Sequence, residues 1–210
     1  MNITLEHVLP QDIERRSMEL IEQELKTPLS EDIAPVVKRV IHTTADFDYA
    51  ENLVFSPRAV ERGREALGRG CTVVTDTTMA QSGINKRVLS ALGGATECFI
   101  AHPEVVCRAR EQGCTRSAAA VDYAAETLTG PLVFAVGNAP TALLRICELV
   151  EAGALRPELV IGVPVGFVNV VEAKELALTL EVPHIVARGR KGGSSVAAAI
   201  VNALLYLNRR

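Results

Sequence analysis

The chain has 210 residues, 48% of them hydrophobic and 22% charged, with a formal net charge of −3. That is chain enough for a full core, and the mean hydropathy of +0.20 excludes a disordered or collagen-like molecule. A balance this close to neutral argues against a nucleic-acid binder, which carries a basic excess. The basic residues are 17 arginines and 5 lysines. Because the guanidinium fork matches carboxylates and phosphates, an anionic small molecule remains in play.

The N-terminus, MNITLEHVLPQDIERRSMEL, carries charge from Glu6 onward and has no apolar signal region. A helical arm is predicted over roughly residues 11–50. In its first helix Ile13, Leu20, Ile21 and Leu25 define an apolar side, with Ser17 in the middle. A hydroxyl there either bonds back to a carbonyl one turn earlier or meets a polar group arriving from elsewhere. In the second helix Asp32 is the expected N-cap, with Pro35 still inside the first turn. Ile33, Val36, Val37, Val40 and Ile41 then make an apolar stripe, and His42 lies nearly opposite its centre. His42 is thus either a surface histidine at a helix C-terminus or a group facing a cleft or a partner subunit. Asp46, one turn on, would orient its imidazole if the helix continued, or cap whatever follows.

Beyond the arm, five short apolar runs read as buried strands: Cys71–Thr75, Glu97–Ala101, Leu132–Val136, Leu159–Val163 and His184–Ala187. Helices are predicted at Pro57–Arg69, Asn85–Leu92, Thr115–Leu128, Ala139–Glu151, Val170–Thr179 and Ser194–Leu207. Alternating helices with near-continuously apolar strands give a parallel sheet covered on both faces. Right-handed crossovers then favour a doubly wound, three-layer α/β/α sandwich in a single domain. No apolar run reaches the length of a membrane span. The odd number of cysteines, with no CxxC pair, fits reduced thiols in a cytoplasm. No Cys/His cluster provides a metal site.

In such a sheet ligands bind outside the carboxyl ends of the strands, so the strand-to-helix loops carry the functional expectation. They begin at Thr75, Ala101, Val136, Val163 and Ala187, and all are rich in Gly, Pro and small polar residues. Their backbone N–H groups are expected to cradle anions, although tight turns alone would explain the composition. The GRKGGSS run from Gly189 is not a phosphate-binding loop, because its Lys precedes the glycine pair. No GxGxxG follows the first of these strands, and no GxSxG elbow is present. Of the four histidines, His7 falls in the terminus, His102 at a loop or helix start and His184 in a buried strand. His42 is left as the acid–base candidate.

Taken in order, RVIHTTAD from Arg39, TRSAAA from Thr115, VGNAPTAL from Val136, GVPVGFV from Gly162 and RGRKGGSS from Arg188 resemble the precorrin-8X methylmutase family of cobalamin biosynthesis. The resemblance runs from about Ile13 to Leu207. It implies a flavodoxin-like fold, a homodimer, and an isomerase that moves a methyl group from C-11 to C-12 of a contracted tetrapyrrole. It also implies His42 as the catalytic acid and Ser17 and Arg116 at the substrate, with Asn138 and Arg190 recognising substrate side chains. No cofactor is implied, because the methyl already sits on the substrate, and any cobalt would arrive inside the macrocycle. The HTTAD and DTTM…GINK wording is more like the cobalt-dependent branch than the metal-free one. The rivals are a non-catalytic tetrapyrrole carrier of the same fold and an unrelated hydrolase using Asp76 or Asp46.

Overall fold

The structure, a computed structural model, describes residues 5–208. After a short turn at Pro10–Asp12 come α1 (Ile13–Glu24), α2 (Ala34–Thr44), α3 (Tyr49–Asn52), β1 (Leu53–Phe55) and α4 (Ala59–Gly68). Next are β2 (Thr72–Thr75), α5 (Thr78–Gly83), α6 (Lys86–Ala91), β3 (Ala95–Glu97), α7 (Pro103–Gln112) and α8 (Arg116–Thr127). The chain closes with β4 (Leu132–Val136), α9 (Pro140–Glu151), β5 (Leu159–Gly162), α10 (Val170–Ala177), β6 (His184–Ala187) and α11 (Ser194–Leu207).

The strands form one sheet in the order β1-β6-β5-β4-β2-β3. All neighbours are parallel except β1, which runs antiparallel to β6 and pairs Leu53 with Ala187. Numbered among themselves, the parallel strands β2 to β6 lie in the flavodoxin-like order 2-1-3-4-5, and the order reverses between β2 and β4. The expected α/β/α sandwich is therefore present, with one strand more than the expected five. The extra strand, β1, is too short at three residues to show a hydrophobic period. Another boundary moved. The run expected as a strand at Glu97–Ala101 pairs only through Ala95–Glu97, after which the chain turns towards α7.

Every residue of β4, β5 and β6 is buried, which is why these strands read as continuous apolar runs. One core cluster joins α2, α4 and α11 to the sheet through Val37, Val40, Leu67, Leu159, Ile200 and Leu204. A second packs α8, α9 and α10 on the opposite face around Phe134, Leu143 and Ile146, and a small third joins α7 to α8 through Val105, Ala109, Ala119 and Ala120. In α2 the predicted stripe faces this core, with Val36, Val37, Val40 and Ile41 essentially inaccessible. Asp32 does not cap that helix: the residue before it is Ile33, and no side chain bonds its first N–H groups. Pro35 lies in the first turn as expected, where a missing N–H costs least. The side expected to be apolar in α1 is only partly covered, since Ile21 is buried whereas Ile13 and Leu20 are exposed. Cys71 and Cys147 are buried free thiols, their pKa values pushed up to about 12 by burial. No described helix is long and apolar enough to cross a membrane.

Candidate active site

At the switch point, the first turn after β2 delivers Asp76, almost fully buried, to the loop after β4. Its carboxylate accepts N–H bonds from Gly137 at 2.9 Å, Asn138 at 2.8 Å and Ala139 at 2.7 Å. Burial raises the Asp76 pKa above the ordinary aspartate range, and these three donors pull against that rise. The anion cradle expected at the start of α9 is therefore real, but the protein's own carboxylate fills it. The β2–α5 loop behaves similarly. Thr77 Oγ1 caps α5 by accepting from the Ala80 N–H and lies 2.8 Å from Ser194 Oγ at the start of α11.

Two of the glycines in these loops have a steric reason. A Cβ on Gly137 would stand 2.7 Å from Ser194 Cα, and one on Gly192 would stand 2.1 Å from the Val163 carbonyl oxygen. The loops after β4, β5 and β6 thus pack backbone against backbone, a closeness that only glycine permits. Two bonds join the last two of these loops, Gly193 N–H to Val163 O at 2.9 Å and Gly166 N–H to Arg190 O at 3.3 Å.

This knitted edge presents apolar side chains to the outside. Phe167 is 81% exposed, Val168 79% and Met79 71%. The Arg190 guanidinium lies over the Phe167 ring at 5.4 Å from its centroid. Asn138 is also exposed, although its backbone N–H is taken by Asp76. Arg116 is the exposed first residue of α8. The preceding Thr115 caps that helix and donates to Thr141 in the first turn of α9 at 2.8 Å. That bond puts the start of α8 beside the start of α9, at the carboxyl edge.

His42 reaches the same edge from the arm. It is exposed in the last turn of α2. Beyond it Ala45 adopts a left-handed conformation (φ 53°), and the chain turns so that Asp46 and Asp48 meet Lys191 in the loop before α11. Of the two alternatives for Asp46, the interaction with His42 is not present. The helix stops before Asp46, whose carboxylate faces Lys191 at 2.7 Å and accepts the Asp48 N–H at 3.0 Å. The Lys191 ammonium holds the Asp46 carboxyl below its ordinary range. The acid near His42 is instead Glu14 of α1. The Glu14 carboxyl is held low chiefly by its hydrogen bond to Arg39 and by that residue's charge, with a smaller contribution from His42. Arg39 also lies over the Tyr206 ring at 5.2 Å.

Ser17 takes the back-bonding alternative, donating to the Ile13 carbonyl at 2.8 Å. His102 precedes α7, as a loop or helix-start residue, and its ring lies against Tyr123. His184 is buried in β6 with Nδ1 3.0 Å from the Val182 carbonyl. No hydrogen bond or ion pair joins any two of His42, Ser17, Arg116, Asn138 and Arg190. No group of acids, cysteines and histidines among the described residues could hold a metal.

Three residues escaped sequence reasoning. Glu14 and Arg39 pair across two helices, so spacing along one helix could not reveal them. Lys174 had a signal: four residues after Val170 and three before Ala177, it falls on the buried face of α10.

Fold and edge together define a doubly wound α/β/α protein that offers a histidine, arginines and apolar loop tips at the carboxyl ends of its strands. Residues 12–207 match the family model for precorrin-8X methylmutase. The chain is 49% identical over 208 residues to a cobalt-precorrin-8 methylmutase of Salmonella typhimurium, covering 94% of this chain and 95% of that one. It is 42% identical over 175 residues to a precorrin-8X methylmutase of Pseudomonas aeruginosa, covering 82% of this chain and 83% of the relative. Its fold superposes on a precorrin-8X methylmutase from Thermus thermophilus with a TM-score of 0.87 at 43% identity, covering 94% and 98% of the two chains. This chain belongs to the precorrin-8X methylmutase family and is an isomerase of cobalamin biosynthesis.

Proposed function

We propose that this enzyme converts cobalt-precorrin-8 to cobyrinate by a 1,5-sigmatropic shift of the methyl group from C-11 to C-12, with His42 as the acid. Protonation of a ring nitrogen beside the migrating methyl withdraws electrons from the conjugated system and lowers the barrier. The C-11–methyl bond breaks as the C-12–methyl bond forms, and the proton then returns to the imidazole. Nothing is added to or lost from the substrate, so the reaction needs neither a methyl donor nor a redox partner. Cobalt, where present, belongs to the substrate.

The observation that carries this reading is the convergence of His42 with Arg190, Asn138 and the exposed Phe167 and Val168 on one sheet edge. A large macrocycle fringed with acetates and propionates needs such a surface: apolar area for its face and guanidinium forks for its rim. Arg116 and Arg190 are proposed to pair with carboxylates, and Asn138 to bond them through its side-chain amide. Ser17 is proposed to turn its hydroxyl from Ile13 to a substrate group on binding. The open edge and the exposed Leu9, Ile13 and Leu20 on the arm favour a homodimer that covers both. We place the enzyme in the cytoplasm.

The names of the relatives include both substrates, so the test is anaerobic incubation with cobalt-precorrin-8 and, separately, metal-free precorrin-8X. Conversion to the cobyrinate spectrum, faster than any conversion to hydrogenobyrinate, is the expected result. The reverse preference moves the assignment to the metal-free branch. A spectral change on binding without conversion identifies a carrier.

A further inference from the structure

The loop from Arg188 to Gly193 has no secondary structure of its own but is held by hydrogen bonds at five of its six residues. The Arg188 N–H donates to Asn52 O at 2.8 Å, the Arg190 carbonyl accepts from Gly166, and the Gly193 N–H donates to Val163 O. Two carbonyls in the middle, those of Gly189 and Lys191, are met by a side chain. That side chain is Lys174 of α10, whose ammonium donates to Gly189 O at 2.8 Å and to Lys191 O at 2.7 Å. Lys174 is 0% exposed and its pKa is lowered to about 8 by burial. A buried ammonium is an expensive way to fill space, and no carboxylate pairs with this one.

The loop so held also reaches the segment that follows the His42 helix. Lys191 extends its own ammonium to Asp46 at 2.7 Å and Asp48 at 2.6 Å, just past the left-handed turn at Ala45. A left-handed alanine costs on the order of 1–3 kcal/mol and persists only where its surroundings over-determine it. In the last turn of α2, Ile41 packs into the core, while the Thr43 and Thr44 hydroxyls bond back to the Arg39 and Val40 carbonyls and make no bond to the sheet edge. The tie is Lys191.

We infer that Lys174 is a positioning residue for the methyl shift: its buried ammonium fixes the Arg188–Gly193 loop, which sets the Arg190 side chain and, through the Lys191 bonds to Asp46 and Asp48, the end of the helix that carries His42. The inference deepens the functional reading above and rests on it. Release of the Lys191 clasp loosens His42 and leaves Arg190 in place. Release of Lys174 loosens both.

The experiment is a double-mutant cycle on the full chain with Lys174→Met and Lys191→Met, assayed with cobalt-precorrin-8. Methionine keeps most of the stem and removes the donors. Lys191→Met is expected to lower kcat with little change in KM. Lys174→Met should lower kcat and also raise KM, on the order of tenfold to a hundredfold in kcat/KM, the scale of a misplacement of about 1 Å. In the Lys174→Met background the second substitution should add little. Hydrogen exchange should show residues 44–48 and 188–193 opening together in Lys174→Met. A drop in denaturation midpoint with kcat and KM unchanged would reduce Lys174 to a structural role and overturn the proposal, as would strictly additive effects. Should Lys174→Met fail to fold, Lys174→Leu, which likewise removes the donors, is read by the same criteria. If wild type converts neither substrate, the functional reading fails, and the exchange coupling still decides whether Lys174 controls both segments.

Discussion

Replacing Asp76 by alanine removes the carboxylate that closes the crevice between β2 and β4. Three N–H donors lose their acceptor, those of Gly137, Asn138 and Ala139. Asn138 is exposed and its N–H can turn to water, whereas Gly137 and Ala139 are buried. Each buried donor left unpaired costs about 1–3 kcal/mol, so the two together lose roughly 2–6 kcal/mol. Part of that is returned, because burial of the carboxylate is itself unfavourable, as its raised pKa indicates. A net loss of about 2–4 kcal/mol follows. Asp76→Asn should lose nearly as much, since its NH2 group faces donors where a carboxylate oxygen accepted. Urea denaturation of both variants measures this directly, and a change below about 0.5 kcal/mol for alanine would mean that the carboxylate does not hold this loop. Substrate turnover by the folded fraction should fall with stability, because the loop that carries Asn138 is what the carboxylate holds.

Gly192→Ala forces a Cβ to within 2.1 Å of the Val163 carbonyl oxygen, against backbone that cannot yield cheaply. A loss of at least about 1–3 kcal/mol in urea midpoint analysis is expected, and an unchanged midpoint would show the loops packed more loosely than described. His184 has a pKa lowered by burial, so between the ordinary histidine value and its folded value the unfolded chain binds more protons. Stability should therefore fall as pH drops below about 6.5, and His184→Gln should flatten that slope; identical pH dependence in both proteins would rule the residue out as the cause. Phe167→Ala, at an exposed loop tip, should leave the denaturation midpoint within about 0.5 kcal/mol of wild type while raising KM for the macrocycle. An unchanged KM would remove Phe167 from the substrate surface.

The α/β/α sandwich was legible because β4, β5 and β6 are buried throughout and wrote themselves as unbroken apolar runs. The strand β1 was not, since three residues cannot display a period and its partner is distant in sequence. The helices α5 and α7 went unread for related reasons: six residues in one case, and in the other a charged run with only Val105 and Ala109 buried. At the site, the placement of His42 off the stripe of α2 was visible from spacing alone. Its neighbours were not. The Asp46 carboxylate lay at the right distance in sequence, but a left-handed residue at Ala45 turned it to Lys191, and a non-glycine in that conformation carries no sequence signal. The loop at Val136 reads from sequence either as an anion cradle or as a tight turn, and its N–H groups do bind a carboxylate. That Asp76 fills it depends on strand order, which brings β2 beside β4 across an intervening strand and four helices.

His42 is proposed to supply the proton for the methyl shift, and its removal is the most direct test. Wild-type enzyme and His42→Ala, each confirmed folded, would be mixed anaerobically with cobalt-precorrin-8 and followed by visible absorption through a single turnover. Both proteins should bind the macrocycle, and His42→Ala should develop the cobyrinate spectrum at least about a hundredfold more slowly than wild type. Conversion by His42→Ala at the wild-type rate would contradict that role and leave the shift to binding geometry alone.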